Sequence, residues 1–204
     1  MKDLLVVYDK SIKDKGRDSY LKAIKKEIPS ARIVNIDSEK TNLPFDVDKI
    51  LVLKPINHKG LVSELWLDNP DRDIEGIYTN QLTITAEAIL KVIGEVKDKT
   101  ILIINQSDVL GKPLAKELIE LGANVISINS SFDGIGWIYP YLAPDILISA
   151  SGDADFKIKD KFLKYIYKII DLSDDIDYEN KITSIPTIEV LKDRLRWWEK
   201  KNMI

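Results

Sequence analysis

Residues 101–129 read ILIINQSDVLGKPLAKELIELGANVISIN. An apolar run (ILII, 101–104) meets a polar loop, then an amphipathic stretch, a glycine, and a second apolar run (VISI, 125–128). The order is strand, helix, strand, and a helical crossover of this length joins parallel strands. The spacing predicts a helix from about Lys112 to Leu121. Pro113 suits its first turn, where the amide that proline lacks would be unbonded anyway, and Gly122 suits its end. Leu114, Leu118 and Leu121, with Ala115 and Ile119 beside them, are expected to pack on the sheet. This is the frame of a dinucleotide-binding unit, but such units usually set three glycines under the pyrophosphate. Here the loop holds Gly111 alone. A diphosphate is therefore expected to sit at longer range, received by the free amides of the helix start and by Ser107. An ordinary strand-to-helix loop shares the same pattern.

Outward from this unit the alternation continues. LLVVY (4–8), ARIVNI (31–36) and KILVL (49–53) read as strands, with a polar helix from about Asp18 to Ile28 that Pro29 ends. ITAEAILKVIGEV (84–96) carries a helical stripe through Ala88, Ile89, Val92 and Ile93. DILISA (145–150) and IYKIIDLS (166–173) are further strands, and IPTIEVLKDRLRWWEKK is a charged terminal helix in which Trp197 and Trp198 read as packing residues. Strands apolar on both faces, alternating with helices, indicate parallel sheets covered on two sides. The expected fold is α/β: two lobes with parallel sheets, the second a Rossmann-type NAD(P)-binding domain, and a cleft between them. The first lobe is expected over 1–82 and the second over 83–185, with the helix at 186–201 packing back.

Composition narrows the chemistry. The 204 residues suffice for one large or two small domains, and a net charge of −3 with both signs abundant argues against nucleic acid as the main partner. No segment approaches the roughly 20 apolar residues of a membrane span, and MKDLLVVYDK has too short an apolar run for a secretory signal. With no cysteine, thiolate chemistry is excluded, and with His58 as the only histidine a His-rich metal centre or a Ser-His-Asp triad has little to work with. Carboxylates, lysines, tyrosines or a bound cofactor must do any catalysis. A cysteine-free chain fits a cytoplasmic location.

The loop Asn105–Pro113 resembles the G-R-S-x-I-V-G-x-P segment of the bifunctional methylenetetrahydrofolate dehydrogenase/methenyltetrahydrofolate cyclohydrolase (FolD-like) family. The likeness continues in order: PDRDIEG (70–76) is similar to P-x-K-D-V-D-G, and LTITAEAILKVI (82–93) to the P-C-T-P-x-G helix start, keeping Thr85. DILISASGDADF (145–156) is similar to A-D-I-V-V-S-A-x-G-x-P-x-F, and IIDLS (169–173) to V-I-D-V-G. The resemblance implies two α/β domains, a folate-type small-molecule substrate, NAD or NADP on the second domain, and a homodimer. It places cofactor contacts at Asn105, Gln106, Ser107, Val109, Gly111, Asn129, Ser130, Ser151 and Gly152.

Departures from the family pattern bear on the chemistry. The active-site Tyr-x-x-x-Lys falls on DSYLKAIKK (18–26), so Tyr20 matches and the lysine position holds Ile24. Lys25, or Lys22, would have to supply the amine. V-Q-L-P-L-P falls on VLKPIN (52–57), so the glutamine becomes Leu53, Lys54 follows and Pro55 is kept. The second acid of D-V-D-G is Glu75. The loop arginine is Gln106, and a late glycine-rich loop is replaced by Pro186-Thr187-Ile188-Glu189. The resemblance implies Tyr20, Lys25 and Glu75 as catalytic residues, and Tyr20, Leu53, Lys54, Asp73 and Glu75 as substrate contacts. Asp73 reads equally as a turn residue, and His58 as a loop histidine. Losing the loop arginine removes a partner for a 2′-phosphate, so NAD is favoured over NADP, with Asn129 placed to bond a ribose. The implied activity is hydride transfer from methylenetetrahydrofolate, with cyclohydrolase action not expected. The competing expectation is an inactive relative that binds a nucleotide or a protein.

Overall fold

The computed structural model describes residues 3–201 except 13, 14, 39, 40, 45, 59, 61, 65–68, 80, 135–140 and 159–162; the side chain of Trp198 also lies outside the described residues. The chain divides into two compact units, Met1–Ile84 with Thr187–Ile204, and Thr85–Pro186.

In the first unit, β1 (Leu4–Tyr8), α1 (Lys15–Glu27), β2 (Arg32–Asn35) and β3 (Lys49–Val52) make a parallel sheet in the order β2-β1-β3. Leu5, Val7, Ile50 and Val52 share one face and anchor a core with Ile36, Leu43 and Val62. Leu4, Val6 and Leu51 point to the other face and are equally buried. A sheet buried on both sides explains why its strands read as unbroken apolar runs. Helix α1 starts three residues before the expected Asp18, because the Arg17 guanidinium bonds the carbonyls of Asp9 and Ile12, 2.7 Å each, and ties the first turn to the end of β1. A 3₁₀ turn, Pro70–Arg72, follows β3 in the same unit, and α4 (Thr187–Lys201) completes the unit.

The second unit starts within α2 (Ile84–Ile93) and continues through β4 (Thr100–Ile104), α3 (Gly111–Glu120), β5 (Asn124–Ile128), β6 (Ile146–Ser149) and β7 (Lys168–Asp171). Its parallel sheet runs β5-β4-β6-β7. Leu102, Ile104, Leu147 and Ile169 meet Leu163 and Ile176 in its core. Helix α2 stops three residues short of the expected Val96. Gly94 takes a left-handed φ of +81° there, and the Lys168 ammonium bonds the last carbonyls, of Val92 and Ile93. Helix α3 ends at Gly122 (φ +86°), where the Ala123 amide returns to Leu118. Leu114 and Leu118 are fully buried, but Ile119 and Leu121 are exposed, against expectation. Ile119 is turned about 100° from Leu118, and Leu121 lies where the helix is already closing.

Among the described residues no helix is long and apolar enough to cross a membrane, and no group of three or more His, Asp or Glu could hold a metal ion.

Candidate active site

In both sheets strand order reverses beside the first strand laid down, between β1 and β3 and between β4 and β6. Ligands of open α/β sheets bind outside the carboxyl ends of the strands at such points.

In the first unit the segment after the 3₁₀ turn carries the acids. Asp73 is buried, and its two carboxylate oxygens accept the amides of Gly76 (3.0 Å) and Tyr78 (2.6 Å). It holds the turn. Glu75 is buried as well, and its Oε1 accepts the Ile84 amide at 3.2 Å, at the start of α2. Burial drives the Glu75 carboxyl up to about 8. The Arg194 charge opposes burial most strongly, helped by the Ile84 bond and Lys54, while Asp73 adds to the rise. Tyr20 belongs to the same group: burial raises its phenol, the Glu75 charge raises it further, and Arg194 opposes both. Lys54, just past β3, stands 5.7 Å from the centre of the Tyr78 ring, within reach of a cation–π contact. The structure thus gathers Tyr20, Lys54 and Glu75.

The lysine expectations come out otherwise. Ile24, at the lysine position, is fully buried in the core. Lys25 reaches away to the carbonyls of Pro29 (2.9 Å) and Ala31 (3.1 Å), beyond the end of its own helix. The cause is helical rotation: one residue past Ile24, the side chain leaves the buried face and meets the unbonded carbonyls of a helix end. Lys25 is thus engaged at the helix end in this structure. Lys22 is exposed on the same helix. Leu53 continues the β3 ladder, its amide bonding the Val7 carbonyl at 2.9 Å.

Sequence reasoning missed two features. Arg194, from α4, donates through Nη1 to the carbonyls of Ile74 (2.8 Å) and Glu75 (3.1 Å) and through Nη2 to that of Leu82. The signal was an arginine spaced with the buried Val190, Leu191 and Leu195, an odd charge on an apolar stripe. Asp9, buried just past β1, accepts the Ser11 hydroxyl (2.5 Å) and the amides of Ser11 and Asn57. The Ser11 hydroxyl holds its carboxyl below the ordinary range against the opposing effect of burial, and His58 adds its charge. This cluster ties β1 to the segment after β3 through Asn57.

In the second unit the loop after β4 is closed by Asn105. Its Oδ1 accepts the Ser107 amide (2.9 Å), the Ser107 hydroxyl (2.8 Å) and the Gly111 amide (2.9 Å), while its Nδ2 donates to the Ala150 carbonyl at 2.7 Å across the switch point. The Lys112 amide bonds the Ser107 carbonyl and the Leu114 amide that of Leu110. The amides expected to be free at this helix start are therefore already bonded, and so is Ser107; a carboxamide where the family has glycine is the reason. Gly111 is needed for packing: a Cβ there would sit 1.8 Å from the Asn105 carbonyl oxygen. Val109 is half-buried beside the buried Leu110.

At the tip of β5, Gln106 donates to the Ser127 carbonyl (2.9 Å) and accepts Asn129 Nδ2 (3.1 Å), both side chains exposed. Asn129 Oδ1 holds the turn by accepting the Ser131 amide and hydroxyl, with Ser130 between them. Past β6, Ser151 bonds Asp175 through its amide (3.1 Å) and hydroxyl (2.7 Å), and Ser149 bonds the same buried carboxylate at 2.5 Å. Gly152 has φ +70° and open space where a side chain would project. A nicotinamide dinucleotide fits this edge in part. The carboxamides of Gln106 and Asn129 suit a ribose and the bare backbone at Gly152 admits a close approach, but the helix start offers a diphosphate no unspent amide at Gly111, Lys112 or Leu114.

No family model matches the chain. A curated relative, the bifunctional protein FolD of Clostridium botulinum, is 28% identical over 178 residues, 79% of this chain and 60% of its own length. The chain thus spans about three fifths of that relative. A Trypanosoma brucei methylenetetrahydrofolate dehydrogenase–cyclohydrolase, solved with NADP and an inhibitor, superposes with a TM-score of 0.70 at 16% identity, over 100% of this chain and 88% of that one. The NAD-dependent 5,10-methylenetetrahydrofolate dehydrogenase of Saccharomyces cerevisiae gives 0.66 at 17% identity, over 98% and 88%. In sequence over most of its length the chain is similar to bifunctional FolD proteins, and its fold is that of the methylenetetrahydrofolate dehydrogenase structures.

Proposed function

We propose that the chain is a methylenetetrahydrofolate dehydrogenase, removing hydride from the methylene carbon of 5,10-methylenetetrahydrofolate to leave the methenyl cation. The observation that carries this reading is the mutual electrostatic influence of Tyr20, Lys54 and Glu75 in the first unit, in a chain related in sequence to bifunctional FolD proteins. The Glu75 carboxylate is suited to accept paired hydrogen bonds from the amino and N–H edge of a pterin. Its high pKa makes that a pH-dependent capacity: the anion that accepts both bonds is the minor form below about 8 and dominates above it. Bound NAD(P)+ supplies the hydride acceptor. Gln106 and Asn129 hold its ribose, and Gly152 leaves room beside it. NAD is favoured, because Gln106 brings no charge to a 2′-phosphate.

Cyclohydrolase action is not expected. Attack of water on the methenyl cation releases a proton that a base must take, and Ile24 is a core side chain that cannot take it. Hydride transfer needs no protonic group and survives that loss. The family resemblance further supports a homodimer, and the absence of cysteine fits the cytoplasm.

A second reading, an inactive relative that binds a nucleotide or a protein, is favoured by one observation: Asn105 already holds the donors a diphosphate would use. Thermal shift with NAD+, NADP+ and a folate analogue, followed by near-ultraviolet absorbance with methylenetetrahydrofolate, separates the two. A dehydrogenase gains stability from a dinucleotide and from the analogue, and produces NAD(P)H. Silence towards both dinucleotides at millimolar concentration rejects the enzyme; binding without turnover supports the second reading.

A further inference from the structure

Arg194 bonds the Glu75 segment from far along the sequence. It lies 120 residues from Ile74, on the buried stripe of α4 with Val190, Leu191 and Leu195. Its fork closes on three carbonyls, of Ile74, Glu75 and Leu82, which bracket the segment on both sides of the Glu75 side chain. That segment is folded tightly on itself: Gly76 has φ +91°, and a Cβ there would meet Gln81 at 2.9 Å. Its far end delivers the Ile84 amide to Glu75 Oε1. A lysine could not do the same, since a flexible stem with one nitrogen does not span three carbonyls in a fixed plane.

The guanidinium also sets the field at the site. The charged and titratable groups around Glu75 are Tyr20 from α1, Lys54 from beyond β3, Asp73 from its own segment, and Arg194 from α4. Of these, Arg194 is the largest counterweight to burial at Glu75.

We infer that Arg194 is a positioning residue: it fixes the segment that presents Glu75 and supplies the positive charge that lets this buried carboxylate meet a ligand as an anion. The inference rests on the folate reading for the identity of the ligand, and on the geometry alone for the effect on Glu75.

The test uses the full chain and two variants. In Arg194→Gln the charge is lost, and the titration of Glu75, followed by carboxyl carbon resonances without ligand, is expected to move to higher pH by about one unit. The pH at which a folate analogue binds should move with it. A role confined to holding α4 would lower the melting temperature and leave that midpoint in place, and an unmoved midpoint overturns the inference. Arg194→Lys keeps the charge and loses the fork. Here Glu75 should titrate near its original pH while affinity for the analogue, measured well above that midpoint, drops several-fold; unchanged affinity overturns the positioning role even if Arg194→Gln fails to fold. If the analogue does not bind the unaltered chain at any pH, the folate reading falls, and the ligand-free titration still decides what Arg194 does to Glu75.

Discussion

The two units close their switch points alike and differ in what lies beyond. In the second unit one carboxamide, Asn105, accepts three donors and gives its own hydrogen across the gap, and in the first the Asp9 carboxylate likewise accepts three. Only the first unit adds, after its 3₁₀ turn, a buried carboxyl whose ionisation is partly compensated: at Glu75, Arg194 and Lys54 stand on one side of the balance and burial and Asp73 on the other. A saturated loop is stable and has little left to give a ligand. An unbalanced carboxyl weakens the free protein and is the arrangement found where ligands complete a site. On the proposed function, the loop of the second unit must give up a bond of its own before its helix start can bind an anion tightly.

The hardest blow to the saturated loop is Gly111→Ala. The added Cβ would meet the backbone oxygen of Asn105 at 1.8 Å and its carbonyl carbon at 2.4 Å, and backbone atoms at a strand end cannot step aside. A loss above about 3 kcal/mol is expected, at the severe end of overpacking, read as an early denaturant transition of the second unit. Gly152→Ala is the control on the same unit. Space is open there, so only its left-handed φ of +70° is strained, at a cost of about 1 kcal/mol. Equal effects at the two glycines would show that the Asn105 loop is not closed as described.

On the other side of the comparison, Glu75→Gln should stabilise the first unit. In the unfolded chain the carboxyl loses its proton at the ordinary value, while the folded protein keeps it to about 8. Between those values the native state binds more protons than the unfolded state, so stability falls as pH rises. Below the ordinary carboxylate range both states are protonated and the difference vanishes. Above about 8 the full penalty applies, and the glutamine variant should be more stable by up to roughly 5 kcal/mol. Melting curves from pH 5 to 9 check this; parallel curves for the two proteins would mean that Glu75 is ionised throughout.

These contrasts also mark what the residues announced. Strand and helix order was legible throughout, because buried parallel strands show as unbroken apolar runs and Gly122 stops a helix for a backbone reason. Periodicity alone misjudged Ile119 and Leu121, since an apolar residue on the outer face of a helix looks like one on the inner face. The motifs singled out Tyr20 and Glu75, whose charges act on one another in the structure. The site was not legible where a partner arrives from far along the chain: Arg194 closes on carbonyls, which every residue possesses. Asn105 shows a further limit. The resemblance names it as a cofactor contact, and nothing in the sequence marks its carboxamide as the occupant of the loop's own donors.

Removing that occupant is a milder change than crowding it. Asn105→Ala leaves the amides of Ser107 and Gly111 without their common acceptor, and an unsatisfied amide costs about 1–3 kcal/mol where water cannot replace the bond. The loop is only part-buried, so a loss of about 2 kcal/mol is expected, together with faster amide hydrogen exchange at Gly111. If saturation is what limits anion binding, inorganic pyrophosphate should stabilise this variant more than the unaltered chain. Equal stabilisation would shift the limit elsewhere in the unit.

The smallest effect sharpens the second unit's side of the comparison without disturbing its frame. Gln106 is exposed, and its two bonds, to Ser127 and Asn129, lie at the rim of the sheet, so Gln106→Arg should change the melting temperature little. It does add a planar cation beside Asn129, where a 2′-phosphate on the ribose would be reached. A charge-assisted pair at an exposed rim contributes on the order of 1 kcal/mol, so the ratio of NADP+ to NAD+ affinity should rise several-fold, measured by calorimetry at low ionic strength and fading as salt is added. An unchanged ratio would remove Gln106 and Asn129 from the ribose site. A ratio that rises equally at high salt would point to shape, not charge, as the basis of the preference.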